Sequence, residues 1–256
     1  MATASPVHLA RGTPGWFTGR DPADVAPVGG AGNLAHRRPH RPGDLAGARR
    51  RVAAATGTDP ARWHLLQQVH GVEVAVVDQQ VPVGAELRGV DAAVTVVAER
   101  PLVVQAADCI PVLVSTGAAV GVAPAGRAGV LAGVLPATVA AMRSLDGEQP
   151  LRAAVGPAIG PCCYEVPAAM RDTAARRLGV LAATTSWDTP ALDLPAGARA
   201  QLEAEGVEVV SADARCTRCT PTLFSHRRDP DSGRQIGLIV RRDPAASDGP
   251  EAEVAP

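Results

Sequence analysis

The chain has 256 residues and a formal net charge of −1, and 46% of its residues are hydrophobic, which is enough for a packed core. The small net charge provides no global field for nucleic acid or an anionic membrane, and the 2% aromatic content leaves no stacking platform for single-stranded nucleic acid. All 25 basic residues are arginine. This excludes lysine Schiff-base chemistry and a Walker-type phosphate loop, since both need a lysine.

The two ends of the chain differ in composition from its middle. Small, polar and Pro-containing residues predict a disordered segment over 1–15, and an acidic, Pro-rich stretch predicts a disordered tail over 242–256. No linker divides the residues between them, so we expect one domain over 16–241. Five cysteines, an odd number, together with the lack of a signal segment or a long apolar run, predict a cytoplasmic protein with reduced thiols.

Local patterns predict a mixture of helices and short strands. Asp44 is expected to cap a helix over 45–56 that ends at Gly57. Helical spacing predicts a second helix over 130–145, with a kink at Pro136. Further helices are expected from Pro167 to Gly179 and over 195–205. Short β-branched runs predict strands over 72–77, 92–97, 102–105, 112–115, 118–122, 151–155, 207–210 and 235–240.

Five strings occur in an order that resembles the laccase-domain family, also called polyphenol oxidases or YfiH-like purine nucleoside phosphorylases. They are QVHG (68–71), ADCIP (107–111), PAGRAG (124–129), GPAIGPCCYEV (156–166) and FSHRR (224–228). The resemblance extends from about Trp16 to Val240. It implies an α+β fold: a single domain of layered mixed β-sheets flanked by helices.

The resemblance also implies an activity. Family members cleave purine nucleosides (adenosine, inosine, guanosine or methylthioadenosine) with phosphate, and adenosine deamination accompanies this reaction. The expected partners are therefore a purine nucleoside and phosphate, with no nucleic acid and no membrane. Copper chemistry fits poorly, because multicopper sites need clustered histidines and the six histidines here include no His-x-His pair.

The family's zinc ion is held by His, Cys and His, and this chain matches two of the three positions. His70 and Cys109 correspond to the first two ligands, whereas Pro124 stands where the second histidine is expected and has no donor atom. The substitutes considered are His226 first and Cys163 second, with His36 or His40 after them. A chain that binds no catalytic metal remains an equal alternative.

Asp108 is the third catalytic candidate beside Cys109 and His70, because its carboxylate can orient a ligand or transfer a proton. Neighbouring residues of a strand point to opposite faces, so Asp108 and Cys109 share a site only if the backbone bends between them. The nearby Pro111 favours such a bend.

Three residues are candidates for binding substrate or phosphate. Arg227 and Arg228 can hold an anion through paired hydrogen bonds, although most arginine pairs after a turn are simply solvated. Asn33 resembles a family asparagine that helps to line the phosphate and nucleoside site.

The four remaining cysteines are interpreted mainly as structural. Adjacent cysteines rarely bind one metal together, so packing is the expected role for at least one of Cys162 and Cys163. The CxxC spacing of Cys216 and Cys219 is a weak zinc or redox signal when it occurs once. We interpret Cys219 as incidental.

Two alternatives to a phosphorylase stay open. In a metal-free thiol hydrolase, Cys109 attacks a carbonyl group with His70 as its base, and the loss at Pro124 does not matter. In a pseudoenzyme, the scaffold persists and binds a partner protein, which the altered 124–128 string favours.

Overall fold

The computed structural model of the protein describes residues 4–20 and 32–243. Fourteen strands occur in these two ranges: β1 (Ala4–Ala10), β2 (Thr13–Thr18), β3 (His64–Gln67), β4 (Val74–Val76), β5 (Leu87–Arg88), β6 (Ala92–Thr95), β7 (Leu102–Ala106), β8 (Ile110–Ser115), β9 (Val120–Ala125), β10 (Arg152–Val155), β11 (Ala182–Thr184), β12 (Pro190–Leu192), β13 (Glu208–Ala212) and β14 (Gln235–Ile239). Five α-helices occur in the same ranges: α1 (Pro42–Thr56), α2 (Arg127–Ala132), α3 (Val134–Asp146), α4 (Ala168–Arg177) and α5 (Leu194–Ala204).

Two six-stranded mixed sheets form the centre of the fold. The first sheet has the order β1-β2-β14-β7-β3-β5, and the second sheet has the order β13-β10-β8-β9-β6-β4. Each sheet contains a pair of parallel neighbours that lie next to cysteine-containing loops: β3 beside β7 in the first sheet, and β10 beside β13 in the second. Because parallel neighbours end at the same edge of a sheet, the loops after them are brought together.

Three hydrophobic clusters hold the layers together. Phe17 and Val104 of the first sheet meet Leu113 and Val122 of the second in the cluster between the sheets. A larger cluster joins the other face of the second sheet to α2, α3 and α5, and a third packs the first sheet against α1 around Trp63. The predicted α+β fold, a single domain of layered mixed β-sheets flanked by helices, is confirmed.

The N-terminal segment is ordered where the structure describes it. The prediction of disorder is wrong for residues 4–15, since β1 pairs antiparallel with β2 and Leu9 is buried in the cluster between the sheets. The segment is polar in composition because an edge strand exposes one face, and its order comes from pairing with β2. The predicted tail, from residue 244 onward, and residues 21–31 of the early loop lie outside the described residues.

The helix predicted over 130–145 is two helices, α2 and α3. They meet at Gly133, whose φ of 92° lies in the left-handed region that favours glycine. The predicted kink at Pro136 is wrong, because Pro136 lies in the first turn of α3, where no N–H partner is needed. The predicted end of α1 at Gly57 is confirmed, with a φ of 61°.

Candidate active site

A cavity of about 530 Å³ opens at the edge of the first sheet where β3 and β7 end. Its volume lies in the range of small-molecule sites. It is lined by Arg37, Arg38, Leu66, Gln67, Gln68, His70, Gln105, Ala106, Ala107, Asp108, Cys109, Arg127, Ala128, Tyr164, His226, Arg227 and Arg234. The parallel pairing of β3 with β7 is what brings the QVHG and ADCIP strings together.

The backbone around His70 is held by a buried carboxylate. Asp91 accepts hydrogen bonds from the amide N–H groups of Val69 (3.0 Å), His70 (2.7 Å) and Gly71 (2.7 Å). These bonds stabilise a tight turn in which His70 has a φ of 62°, an unusual value for a residue other than glycine. Asp91 therefore fixes the direction in which the imidazole leaves the backbone.

His70 and Cys109 converge on one point, although 38 residues separate them along the chain. A β-carbon built on Gly126 lies 2.8 Å from Sγ of Cys109 and 3.2 Å from Cδ2 of His70. Gly126 follows β9 directly, so the third string also reaches this point. Glycine is required at position 126 because the β-carbon of any other residue would contact both the Cys109 sulfur and the His70 ring.

Asp108 and Cys109 both line the cavity because the backbone bends at Asp108. Asp108 has a φ of 88°, which interrupts the alternation of a strand. Its carboxylate accepts one hydrogen bond from the Thr217 hydroxyl (2.6 Å) and one from the Arg227 amide (2.7 Å). Asp108 thus connects the site to the loop after β13.

The environment of Cys109 favours its protonated form. Burial, together with the negative charge of Asp108, raises the pKa of the thiol to about 11, despite the opposing effect of Arg234. A thiol with this pKa is almost entirely protonated at neutral pH, and the thiolate is the reactive species. No hydrogen bond joins the His70 ring to Cys109 in the described part of the chain, so the geometry lacks the paired base that a cysteine hydrolase uses.

The donor set does not complete a zinc site of the predicted kind. Within the described residues, no third His, Cys, Asp or Glu joins His70 and Cys109 with all ligand atoms inside 4.8 Å of one another. Pro124 lies two residues before Gly126 in β9, as the family resemblance implies, and it contributes no donor. Two protein ligands fall short of the three that a catalytic zinc uses.

The proposed substitute ligands lie elsewhere or serve other contacts. His226 lines the cavity, and its Nδ1 lies 3.1 Å from the carbonyl oxygen of Pro230. Cys163 lies among other sulfurs, with its Sγ 3.2 Å from that of Cys219. His36 pairs with Glu86 at 3.0 Å, and His40 contacts the carbonyl of Arg38.

Of the three predicted substrate-binding residues, Arg227 lines the cavity, whereas Arg228 and Asn33 do not. Arg227 lines the cavity, where its guanidinium lies 5.0 Å from the centre of the Tyr164 ring and donates to the carbonyl of Glu165 at 3.0 Å. Arg228 does not line the cavity; its guanidinium donates to backbone carbonyls, including that of Thr217 at 2.9 Å. Its contacts hold the 217–223 turn together.

Asn33 is buried and is not among the residues that line the cavity. Its Oδ1 accepts hydrogen bonds from the amides of Ala35 (3.0 Å) and Arg234 (2.9 Å). These contacts position Arg234, so Asn33 acts on the site through the backbone of that arginine.

Sequence comparison identifies the family. Residues 16–242 match the family model described as multi-copper polyphenol oxidoreductase laccase. The chain belongs to this laccase family. The match covers the same residues that carry the five strings and confirms the resemblance.

Relatives of this laccase-family chain carry a different name. A purine nucleoside phosphorylase of Streptomyces coelicolor is 44% identical over 203 residues, which cover 77% of this chain and 83% of the relative. One from Mycobacterium tuberculosis strain H37Rv is 40% identical over 248 residues, covering 92% and 98%. The crystal structure of the hypothetical protein YfiH of Bacillus licheniformis has a TM-score of 0.79 at 25% identity, covering 90% and 93%.

Sequence reasoning missed three features of this laccase-family site. Asp91 precedes β6 as an ordinary turn residue, and its role appears only when its three amide donors are known. Arg234 lines the cavity although no pattern around it indicated a site. The sulfur of Cys219, which we interpreted as incidental, lies in a group of four with those of Cys162, Cys163 and Cys216.

None of the helices in the described residues is both long and apolar enough to cross a membrane.

Proposed function

We propose that this protein is a purine nucleoside phosphorylase, which cleaves a purine nucleoside with phosphate to give the free base and ribose 1-phosphate. The observation that carries the proposal is the 40% identity, over nearly the whole of both chains, to a relative named as a purine nucleoside phosphorylase. The chemistry of the cavity supports it independently.

The cavity wall is suited to an anion. Five arginines and one carboxylate are among its lining residues in the described chain, so positive charge dominates. Arg37 is neutralised by Glu86, with hydrogen bonds of 3.0 and 2.7 Å. Within the described residues, the other four arginines have no comparable two-bond carboxylate partner.

Arg38 and Arg234 form the strongest candidate for the phosphate subsite. Both residues line the cavity, and burial together with the charge of Arg38 lowers the pKa of Arg234, so two cations lie in one partly desolvated region. Arg234 donates to the carbonyls of Ser232 and Gly233 at 2.9 Å, and Nε of Arg38 is a buried donor with no partner in the described residues. A bound phosphate would reduce the repulsion between the two guanidinium groups, and one of its oxygens would accept a hydrogen bond from Nε of Arg38.

The reaction needs phosphate placed against the anomeric carbon. A phosphate oxygen forms a bond to C1′ of the ribose while the C1′–N9 bond breaks, and the purine leaves with the bonding electrons and takes up one proton. Positive charge develops on the ribose during this step, and the carboxylate of Asp108 and the phosphate itself stabilise it. His70, Tyr164 and the protonated thiol of Cys109 are the other polar groups that can contact the nucleoside.

Adenosine deamination and zinc dependence are finer predictions from the resemblance. Deamination in this family needs an activated water, for which zinc is the usual source. Because His70 and Cys109 supply two of the three expected ligands, the residues present do not fit that zinc, and we assign no step to it. We expect phosphorolysis to be the main activity of the chain.

The thiol-hydrolase alternative is disfavoured by the raised pKa of Cys109 and by the missing bond to His70. The pseudoenzyme alternative is favoured by one observation, the absent donor at Pro124. An activity assay separates the phosphorylase from the pseudoenzyme, because a pseudoenzyme turns over no nucleoside.

The test is a phosphate-dependent cleavage assay with inosine, adenosine, guanosine and methylthioadenosine, in which the free base and ribose 1-phosphate are separated by chromatography. We expect equal amounts of the two products and a rate that saturates with phosphate. Base release that does not depend on phosphate, or no release from any of the four nucleosides, contradicts the proposal. Arg50→Gln, on an exposed position outside this cavity, is the matched control for arginine variants.

A further inference from the structure

Four cysteines outside the cavity meet at the edge of the second sheet. Cys162 and Cys163 lie in the loop after β10, and Cys216 and Cys219 in the loop after β13. Because β10 and β13 are parallel neighbours, both loops leave the sheet at the same edge. A bridge between Ala158 and Cys216 extends this pairing into the loops.

The spacing of the sulfurs matches a tetrahedral metal site. All four Sγ atoms lie within 4.8 Å of one another. The distances from Cys162 to Cys163 and to Cys219 are 3.7 and 3.8 Å, and that from Cys163 to Cys219 is 3.2 Å. Zinc–sulfur bonds of about 2.3 Å in a tetrahedron separate the sulfurs by about 3.8 Å.

The same distances differ from those of disulfides. A disulfide bond is about 2.05 Å long, whereas all five cysteines are free in the described residues. Cys162 and Cys163 present both sulfurs to one centre because they lie in a tight turn, in which the amides of Cys163 and Tyr164 both donate to the carbonyl of Gly160 at 3.0 Å. This turn removes the usual objection to adjacent cysteines as ligands of one metal.

Gly160 lies next to the sulfurs of Cys162 and Cys216. A β-carbon at this position lies 3.3 Å from Cβ of Cys216 and 3.4 Å from Sγ of Cys162, so a side chain there crowds the sulfurs. The amide of Gly160 donates to Sγ of Cys216 at 3.3 Å. Amide donors to a ligand sulfur stabilise the thiolate and orient it, as is usual around structural metals.

We propose that Cys162, Cys163, Cys216 and Cys219 bind one zinc ion as a structural site that joins the 156–166 loop to the 213–228 loop. Four protein ligands leave no open position for substrate, so the role is structural. Thiolate donors select zinc over magnesium, calcium or manganese, which prefer oxygen. Cys163 is buried and Cys219 is exposed, so the ion is reached from the surface.

The site also positions residues of the cavity. Tyr164 follows Cys163 directly, and Thr217, between the two cysteines of the second loop, donates to Asp108. Arg228 holds the same loop through the carbonyls of Thr217 and Arg218. Zinc is therefore expected to fix the two cavity groups Tyr164 and Asp108 without contacting substrate.

The first experiment measures zinc by elemental analysis of full-length protein purified in the presence of a reductant. We expect about one zinc per chain in the unmodified protein and in Cys109→Ala. Cys219→Ser, which changes the most exposed ligand, should weaken zinc binding by at least about tenfold in competition with a chromophoric chelator. Cys219→His, which supplies another zinc donor, should restore most of the binding.

The second experiment uses cobalt(II) as a spectroscopic probe. Cobalt in the unmodified protein should give the intense visible absorption of a tetrahedral thiolate site, and this absorption should be lost in Cys219→Ser. Chelation of zinc should lower the midpoint of thermal unfolding of the unmodified protein and leave that of Cys219→Ser nearly unchanged. Neither readout depends on nucleoside cleavage.

Three results overturn the proposal. The first is metal content that follows Cys109 and is unaffected by the Cys219 variants. The second is a disulfide among the four cysteines in freshly reduced protein, detected by mass spectrometry. The third is iron in place of zinc, with the absorption of an iron–sulfur cluster.

Discussion

The two candidate sites of this protein both form where parallel strands end, but they contain different side chains. In the first sheet, the parallel strands β3 and β7 end together and bring His70 to Cys109. In the second sheet, the parallel strands β10 and β13 end together and gather four sulfurs. The first site has no metal donor at Pro124 and is lined by five arginines, whereas the second has four donors within the described residues. The pairing of strands therefore decides where a site forms, and the side chains decide what it binds.

Cys109 should be far less reactive than an ordinary cysteine, which sharpens the contrast between a protonated thiol and metal-binding thiolates. With a pKa of about 11 against an ordinary value near 8.5, its thiolate fraction at pH 7 is lower by at least about 100-fold. Its alkylation by iodoacetamide should therefore stay slow at neutral pH and accelerate about tenfold per unit as the pH rises toward 11. Mass spectrometry of the Cys109 peptide measures this rate. Rapid alkylation at pH 7 contradicts the prediction and revives the thiol hydrolase.

Asp91→Asn should destabilise the first site most strongly. The buried carboxylate accepts three amide hydrogen bonds, and the asparagine NH₂ group places a donor where an acceptor is needed. We expect a loss of about 2–4 kcal/mol in the free energy of unfolding, measured with urea. Asp78→Asn is the control, since Asp78 makes similar amide contacts with Gln80 and Val81 at the surface and should change stability by less than about 1 kcal/mol. Equal effects of the two changes would show that Asp91 has no special role.

Arg234→Gln tests whether the first site is an anion site rather than an incomplete metal site. Loss of a partly buried guanidinium that contacts phosphate should lower kcat/KM for phosphorolysis by about 100-fold, mainly through a higher KM for phosphate. Arg50→Gln should leave the rate unchanged. A variant whose KM for phosphate equals that of the unmodified protein places the phosphate elsewhere in the cavity.

Pro124→His should make the two sites more alike. Residue 124 lies two positions before Gly126, so an imidazole there is expected to face His70 and Cys109. We expect zinc affinity at this site to rise by at least about tenfold, so that zinc titration shows a second tightly bound ion per chain. Pro124→Ala adds no donor and serves as the control. Unchanged zinc binding in Pro124→His would mean that the alignment of the 124–129 string is incorrect.

The amino-acid sequence by itself determined the family, the fold class and the main elements that carry local signals. The five strings identified the family, Gly57 marked the end of α1, and β-branched runs marked most strands of the second sheet. The edge strand β1 escaped prediction because its composition is small and polar, and its order comes from antiparallel pairing with β2. Gly133, not Pro136, divides the helix because only glycine adopts the left-handed conformation at little cost.

Only the tertiary structure decided which distant groups meet. Asp91 accepts hydrogen bonds from the backbone of residues 69–71, and Arg38 and Arg234 line one cavity. Cys162 and Cys163 meet Cys216 and Cys219 because the parallel strands β10 and β13 end at a common edge. These contacts join residues that are far apart in the chain, and no local spacing encodes them. The CxxC pair looked weak alone because its other two ligands are supplied by a neighbouring strand.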